Sequence, residues 1–321
     1  MIKVEHLVKT YGNLRAVDDI SFEVGEGETM VLLGTSGCGK TTTLKMLNRL
    51  ITPDSGSISI NNKNILDGPA ELLRRGIGYV LQNNGLFPHY TVAENIAVVP
   101  DLLKWDKEKT EKRINELLDK LHLSKDYLSA YPSELSGGQQ QRIGLARGLV
   151  ADPPVLLMDE PFGALDNVTR SKIHGEFKAL DELKRKTIIM VTHDVQEAFE
   201  LADRIALMDK GRIVQIGSPA ELLFNPVNDF VSSFLHEQRL QLEFKSIKLT
   251  DVWEQLTDTG KKINPSLLSA DAGIWEALEN FKFYPRETIN IINQHNKEVK
   301  SVTFDQLMSA FSHYKNLQQH E

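Results

Sequence analysis

The chain is poor in several things at once, and each shortage closes off a class of protein. Its 321 residues include a single cysteine, Cys38, so no disulfide can form within it, as suits a reducing compartment. No apolar run approaches the ~18 residues that a membrane span requires. The opening Met1-Ile2-Lys3-Val4-Glu5-His6 lacks the basic, apolar and small-residue order of a secretory leader, and the expectation is a protein made and kept in the cytoplasm. Positive charge is short as well: 37 Lys and Arg stand against 44 Asp and Glu, a net charge of −7. That balance gives no support to non-specific nucleic-acid binding, and no nucleic-acid partner is expected. Internal repeats and low-complexity tracts are absent. With 41% hydrophobic and 25% charged residues, what remains is a globular chain long enough for more than one domain.

What is there begins with Gly34-Thr35-Ser36-Gly37-Cys38-Gly39-Lys40-Thr41, directly after the apolar run Met30–Leu33. A buried strand that breaks into a glycine-rich turn and then opens a helix aims several backbone N–H groups at one point. The helix N-terminus adds partial positive charge, and together they bind phosphate. In the pattern G-x-x-x-x-G-K-T, Lys40 reaches the β- and γ-phosphates and the Thr41 hydroxyl is placed to hold Mg²⁺. The run Gly34–Thr42 is the expected nucleoside triphosphate-binding loop, and Cys38 reads as a small side chain within it.

Ile2–Val8, Ala16–Val24 and Thr29–Leu33 are β-compatible runs, and Leu44, Leu47 and Leu50 give Thr41–Leu50 a helical spacing. Short strands follow around Ile58 and Ile60 and at Gly78–Leu81, ending at Gln82. From about Val92 to Val150 the pattern is helical and charge-rich. Val155–Met158 and Thr187–Thr192 are apolar runs of the kind buried in parallel sheets, with Arg170–Lys186 as a crossover helix between them. The expectation is an α/β core, β-rich at its start and carrying a helical insertion. A composition shift after Phe234-Leu235 marks a small second domain over about 240–321, too apolar for a disordered tail.

Three segments carry the chemistry. Val155–Met158 ends in Asp159-Glu160, and ligands of open α/β sheets bind beyond the carboxyl ends of strands. Asp159 suits Mg²⁺, through a bound water, and Glu160 is placed to polarise the attacking water as general base. Thr187–Thr192 ends in the same way at His193, placed to contact the γ-phosphate and hold the water in line. In Leu135-Ser136-Gly137-Gly138-Gln139-Gln140-Gln141-Arg142, Ser136 is a good N-cap and two glycines leave the backbone open to an anion. The chain therefore has two phosphate-binding helix starts but one phosphate loop.

This order of motifs resembles that of the ATP-binding subunits of ABC transporters over residues 1 to about 237, with the helical subdomain at about 84–150. The resemblance identifies Gly34–Thr41 as Walker A, Leu135–Gln139 as the signature, Val155–Glu160 as Walker B and His193 as the switch histidine. It makes Gln82 the Q-loop glutamine, near both metal and water, Ala164-Leu165-Asp166 the D-loop, and Tyr11 the aromatic that stacks on adenine. It implies a P-loop ATPase fold in which two copies sandwich two ATP molecules. Each site pairs one chain's Walker motifs with Ser136, Gly137, Gly138 and Gln139 of the other. Integral membrane permease subunits are the implied partners, a solute-binding protein an indirect one, and the cytoplasmic face of the membrane the implied location.

More narrowly, Tyr79–His89 and Thr91–Ala97 resemble importers of glycine betaine, choline or carnitine. Importers of another small solute, and soluble ABC ATPases acting on nucleic acid or ribosomes, are the alternatives. Against the latter, the chain has no long insert between Walker A and Walker B and only one phosphate loop. After the nucleotide domain, over 238–321, Ile247–Trp253, Leu267–Asp271, Gly273–Phe281, Ile289–Phe304 and Asp305–Phe311 resemble a single CBS motif. In that motif a short strand, a helix, two strands around a turn and a final helix follow in order. The turn at Asn293–Lys297 lacks the usual glycine. A sensor of ionic strength or of a nucleotide and a dimer-stabilising cap are equally open readings of it.

Overall fold

In a computed structural model of the chain, residues 1–82, 85–163, 167–260, 267–283 and 287–318 are described. The chain divides into two compact units, Met1–Ile216 and Gly217–Glu321.

The first unit opens with β1 (Ile2–Tyr11) and β2 (Leu14–Val24), an antiparallel hairpin in which Tyr11 pairs with Leu14. Bulges between Val4 and Thr10 break the alternation of β1. Next come β3 (Thr29–Gly34), α1 (Lys40–Leu47), β4 (Ser55–Ile60), β5 (Lys63–Asn64), α2 (Ala70–Arg75) and β6 (Ile77–Val80). Helices α3 (Val92–Leu102), α4 (Lys107–Lys120) and α5 (Gly137–Leu149) form the helical part. The unit ends with β7 (Val155–Asp159), α6 (Asn167–Ala179), β8 (Thr187–Thr192), α7 (Val195–Leu201), β9 (Arg204–Asp209) and β10 (Arg212–Gly217).

Strands β2-β1-β4-β5 make one sheet, and β10-β9-β3-β8-β7-β6 make the other. In the larger sheet β3, β7 and β8 are apolar and buried almost throughout, as strands covered on both faces must be. The pairs β3–β8, β3–β9, β7–β8 and β6–β7 are all parallel, with Leu33 opposite Thr192 and Asp159 opposite Val191. The carboxyl ends of β3, β6, β7 and β8 therefore open on one edge. That edge receives the phosphate loop, Gln82, Asp159-Glu160 and His193.

Two helices are shorter than their apolar spacing predicts. Helix α1 stops at Leu47, because Asn48 caps it and Arg49 turns to φ 53°. Helix α6 stops at Ala179, and the buried Leu180 and Leu183 beyond it sit on successive turns.

The second unit comprises α8 (Pro219–Phe224), α9 (Asp229–Leu235), α10 (Arg239–Ser246), β11 (Leu267–Ser269), α11 (Ile274–Phe283), β12 (Thr288–Ile292), β13 (Val299–Thr303) and α12 (Phe304–Gln318). Strand β11 runs parallel to β12, and β12 antiparallel to β13. Phe244 packs on Phe311 with ring centroids 4.5 Å apart. Beside them the buried Glu243 is satisfied by Arg239 and Lys315, each at 2.8 Å, which a buried carboxylate requires.

Candidate nucleotide site

Two positions of the phosphate loop admit only glycine. Gly39 sits at φ +105°, and a Cβ there falls 2.2 Å from the Ala16 carbonyl oxygen. A Cβ on Gly34 falls 2.2 Å from the Met208 oxygen. Space, as well as backbone freedom, fixes them. Lys40 is buried, and its Nζ donates to the carbonyls of Gly34 (2.9 Å) and Thr35 (2.8 Å), so the ammonium lies inside the loop it closes. Gly39 caps α1 without any side-chain bond, which leaves the first-turn N–H groups to an outside acceptor. Burial pushes the Cys38 thiol up despite the Lys40 charge, the opposite of what a reactive thiolate needs.

Thr41 Oγ1 donates to Asp159 Oδ1 at 2.9 Å. Burial raises the Asp159 carboxyl above its ordinary range, an effect that the Thr41 bond opposes. Glu160 next to it is held at φ +44°, a left-handed conformation that non-glycine residues adopt at a cost and that clusters at functional sites. Its N–H donates to Val191 O at 2.9 Å, which pins it to the sheet edge. One carboxylate oxygen receives Gln82 Nε2 at 3.0 Å and the other meets His193 Nδ1 at 3.2 Å. The three residues expected to act on water thus converge on one carboxylate, from the ends of β6, β7 and β8. Thr41, Gln82 and Asp159 offer a hydroxyl, an amide carbonyl and a carboxylate, the oxygen donors that a hard cation retaining its waters takes.

The remaining expected residues lie apart from that cluster. Tyr11 ends β1 with 48% of its surface exposed and Lys9 Nζ 5.7 Å from its ring centroid. Ala16, on the same hairpin, abuts Gly39. Ser136 and Gly137 are exposed at the start of α5. Ser136 Oγ accepts from Gln139 N–H (3.3 Å) and the Gln139 side chain accepts from Ser136 N–H (2.8 Å), a closed capping box. Gly138 lies one residue further into this turn. Asp166, with Ala164 and Leu165, lies outside the described residues.

Sequence reasoning missed the group behind His193: Thr192, Asp194, Glu197 and, from α6, Arg170. Asp194 followed three residues later by Glu197 at a helix start was the available signal.

A glycine loop closing on a buried lysine, backed by an acidic strand end, defines a P-loop nucleoside triphosphatase. The ABC transporter family model matches residues 17–163. The chain is 46% identical over 297 residues to the glycine betaine/carnitine/choline transport ATP-binding protein OpuCA of Bacillus subtilis, covering 92% of this chain and 76% of that protein. It is 42% identical to the glycine betaine uptake system ATP-binding protein YehX of Escherichia coli, covering 96% and 99%. Among solved structures, a dimeric post-hydrolysis state of an ATP-binding cassette bound to ADP and Pi superposes with a TM-score of 0.62 at 34% identity, covering 68% of this chain and 98% of that one. The structure of cbiO1 from Clostridium perfringens, part of the ABC transporter complex cbiONQ, gives 0.64 at 29% identity, covering 75% and 98%. The chain belongs to the ATP-binding proteins of ABC transporters, and it is an ATPase.

Proposed function

We propose that the chain energises an importer of a quaternary amine osmoprotectant such as glycine betaine, choline or carnitine. The observation that carries the catalytic half of this reading is the Glu160 carboxylate clamped between Gln82 and His193. Water attacks the γ-phosphorus in line, Glu160 takes its proton, and the bond to the bridging oxygen breaks to release ADP and phosphate. Gln82 and His193 orient the carboxylate and the water, while Lys40 and the first-turn N–H groups of α1 offset the charge on the phosphates. When bound, Mg²⁺ adds to that neutralisation, held by Thr41, Gln82 and, through water, Asp159. Tyr11 stacks on adenine.

A second copy supplies Ser136, Gly137, Gly138 and Gln139 to the same ATP, so the nucleotide bridges two acidic chains that otherwise repel. The cassette spans 1–237. The segment after Gln82, with apolar Leu86 and Phe87, faces the permease, and Phe87 also lines a groove of about 260 Å³ with Arg74, Tyr79, Leu81 and Arg147. Among the described residues no helix is long and apolar enough to cross a membrane, which is consistent with a peripheral subunit on the cytoplasmic face of the membrane, fed indirectly by a solute-binding protein. The strand, helix, two strands and helix of β11–α12 support a single CBS-like module over 238–321.

The solute class rests on the breadth of the match. The YehX alignment runs over 308 residues, 96% of this chain, whereas the sulfate/thiosulfate import protein CysA of Bradyrhizobium diazoefficiens aligns over 241, or 74%. Uptake of labelled glycine betaine, with and without salt stress, tests it in cells carrying the chain and its permease. Salt-stimulated uptake that Glu160→Gln abolishes is expected, with turnover falling about 10²-fold or more and an ATP-trapped dimer accumulating. Unchanged turnover in Glu160→Gln overturns the role of Glu160, and uptake of a different solute alone overturns the cargo.

A further inference from the structure

Strand β8 ends at Thr192, α7 starts at Val195, and His193 lies between them, its ring against Glu160 at 3.2 Å. The bonds around it form a bracket. Asp194 N–H donates to Thr192 Oγ1 at 3.0 Å, and that hydroxyl donates to the Glu197 carboxylate. Glu197 N–H in turn donates to the capping Asp194 Oδ1 at 3.1 Å. In an ordinary capping box the glutamate accepts directly from the capping residue's N–H. Here a hydroxyl is interposed, so the residues on both sides of His193 are tied to one carboxylate. Glu197 is 2% exposed, and its Oε1 has no partner among the described residues.

We propose that Glu197 is the positioning residue of the switch histidine: through the Thr192 hydroxyl it fixes the backbone that aims His193 at Glu160. The inference rests on ATP hydrolysis at the site described and not on the transported solute. A second carboxylate, Asp194, faces it from the cap, with Arg170 bound to Asp194 Oδ2 at 2.8 Å. From α6 comes His174, itself held by Glu200 at 3.0 Å. Strand β8 brings Thr192, and β3 brings no ionisable side chain. Burial pushes the Glu197 carboxyl up to about 7, with the Thr192 bond pulling the other way. Near neutrality the carboxyl therefore changes charge. Ionised, it accepts a charge-assisted bond roughly twice as strong as the neutral one, and the bracket tightens.

Glu197→Gln mimics the neutral acid in shape and cannot ionise. Full-length wild type and Glu197→Gln are compared for ATP turnover from pH 6 to 8, with Glu160→Gln as the blank for the site itself. The expected ratio of wild-type to Glu197→Gln kcat is about one at pH 6, rising to about threefold at pH 8, with KM for ATP unchanged. Thr192→Val removes the interposed hydroxyl and is expected to abolish that rise, so that Glu197→Gln has no further effect in its background. A ratio independent of pH, or losses that multiply in the double variant, overturns the proposal. Turnover that survives Glu160→Gln overturns the reading of the site and leaves the pH ratio to be judged separately.

Discussion

Helix α1 begins just after its capping Gly39 and α5 begins at Gly137, yet α1 leaves its first turn open whereas α5 closes its own. Gly39 brings no side-chain acceptor to α1, and the loop before it curls so that Lys40 lies inside. Ser136 and Gln139 occupy each other's N–H groups at the start of α5. The difference follows from where the anion's other ligands lie. Beside α1 the same chain supplies an ammonium, so an uncapped turn awaits phosphate. Beside α5 it supplies no such cation in that turn, and an exposed helix start with nothing to bind is more stable capped. On the proposed reading, the two starts mark one complete half-site and one that waits for a partner.

The sharpest way to break this contrast is Lys40→Ala. It removes the only cation whose Nζ reaches into the loop among the described bonds, and ATP turnover should fall by about 10²-fold or more, with binding of a nucleotide analogue lost in parallel. If Lys40→Ala bound nucleotide normally, the first half-site would not be the complete one.

Ser136→Ala separates the two starts more finely. Loss of the cap costs about 1 kcal/mol of stability, while nucleotide binding by the single chain should stay as it is. Turnover should drop about tenfold, the worth of one such hydrogen bond to a charged phosphate. The loss should be strongest at high protein concentration, where pairs form. A binding defect equal to that of Lys40→Ala would mean that both starts serve one chain.

How much of this could be read beforehand depended on whether a residue's partner is close in sequence. The phosphate loop, the acidic end of β7 and the histidine after β8 are local patterns, and the parallel register of the sheet brings them to one edge. The shared grip of Gln82 and His193 on Glu160 is not local. It needs three strand ends, 78 residues apart in the case of Gln82 and Glu160, and the left-handed backbone of Glu160 gives no sequence signal. Boundaries failed for a related reason. Leu50 and Leu183 continue a helical spacing, but successive turns bury Leu183 without a helix, and Leu50 is exposed past the cap. In β1 the bulges shift the alternation, so Lys9–Tyr11 did not read as strand.

The contrast between a group satisfied by its own chain and one that is not also separates two carboxylates, and it yields the smallest effect. Glu182 is forked by Arg113 at 3.0 and 3.2 Å and also meets Lys120. These partners hold its carboxyl down at about 2, whereas Glu197, offered only a hydroxyl, rises to about 7. The linkage signs are opposite. Stability contributed by Glu182 is complete above its unfolded value of 4.5 and is lost as the pH falls towards 2. For Glu197 it is complete below 4.5 and lost as the pH rises to about 7. With Lys120 half exposed and screened, the Glu182 contribution at neutral pH is about 2 kcal/mol. Urea unfolding of the wild type and Glu182→Gln should show that gap at pH 7 and see it close as the pH approaches 2. Glu197→Gln should instead gain on the wild type between pH 5 and 7. A Glu182→Gln gap that ignores pH would assign the pair to packing and remove the electrostatic half of the contrast.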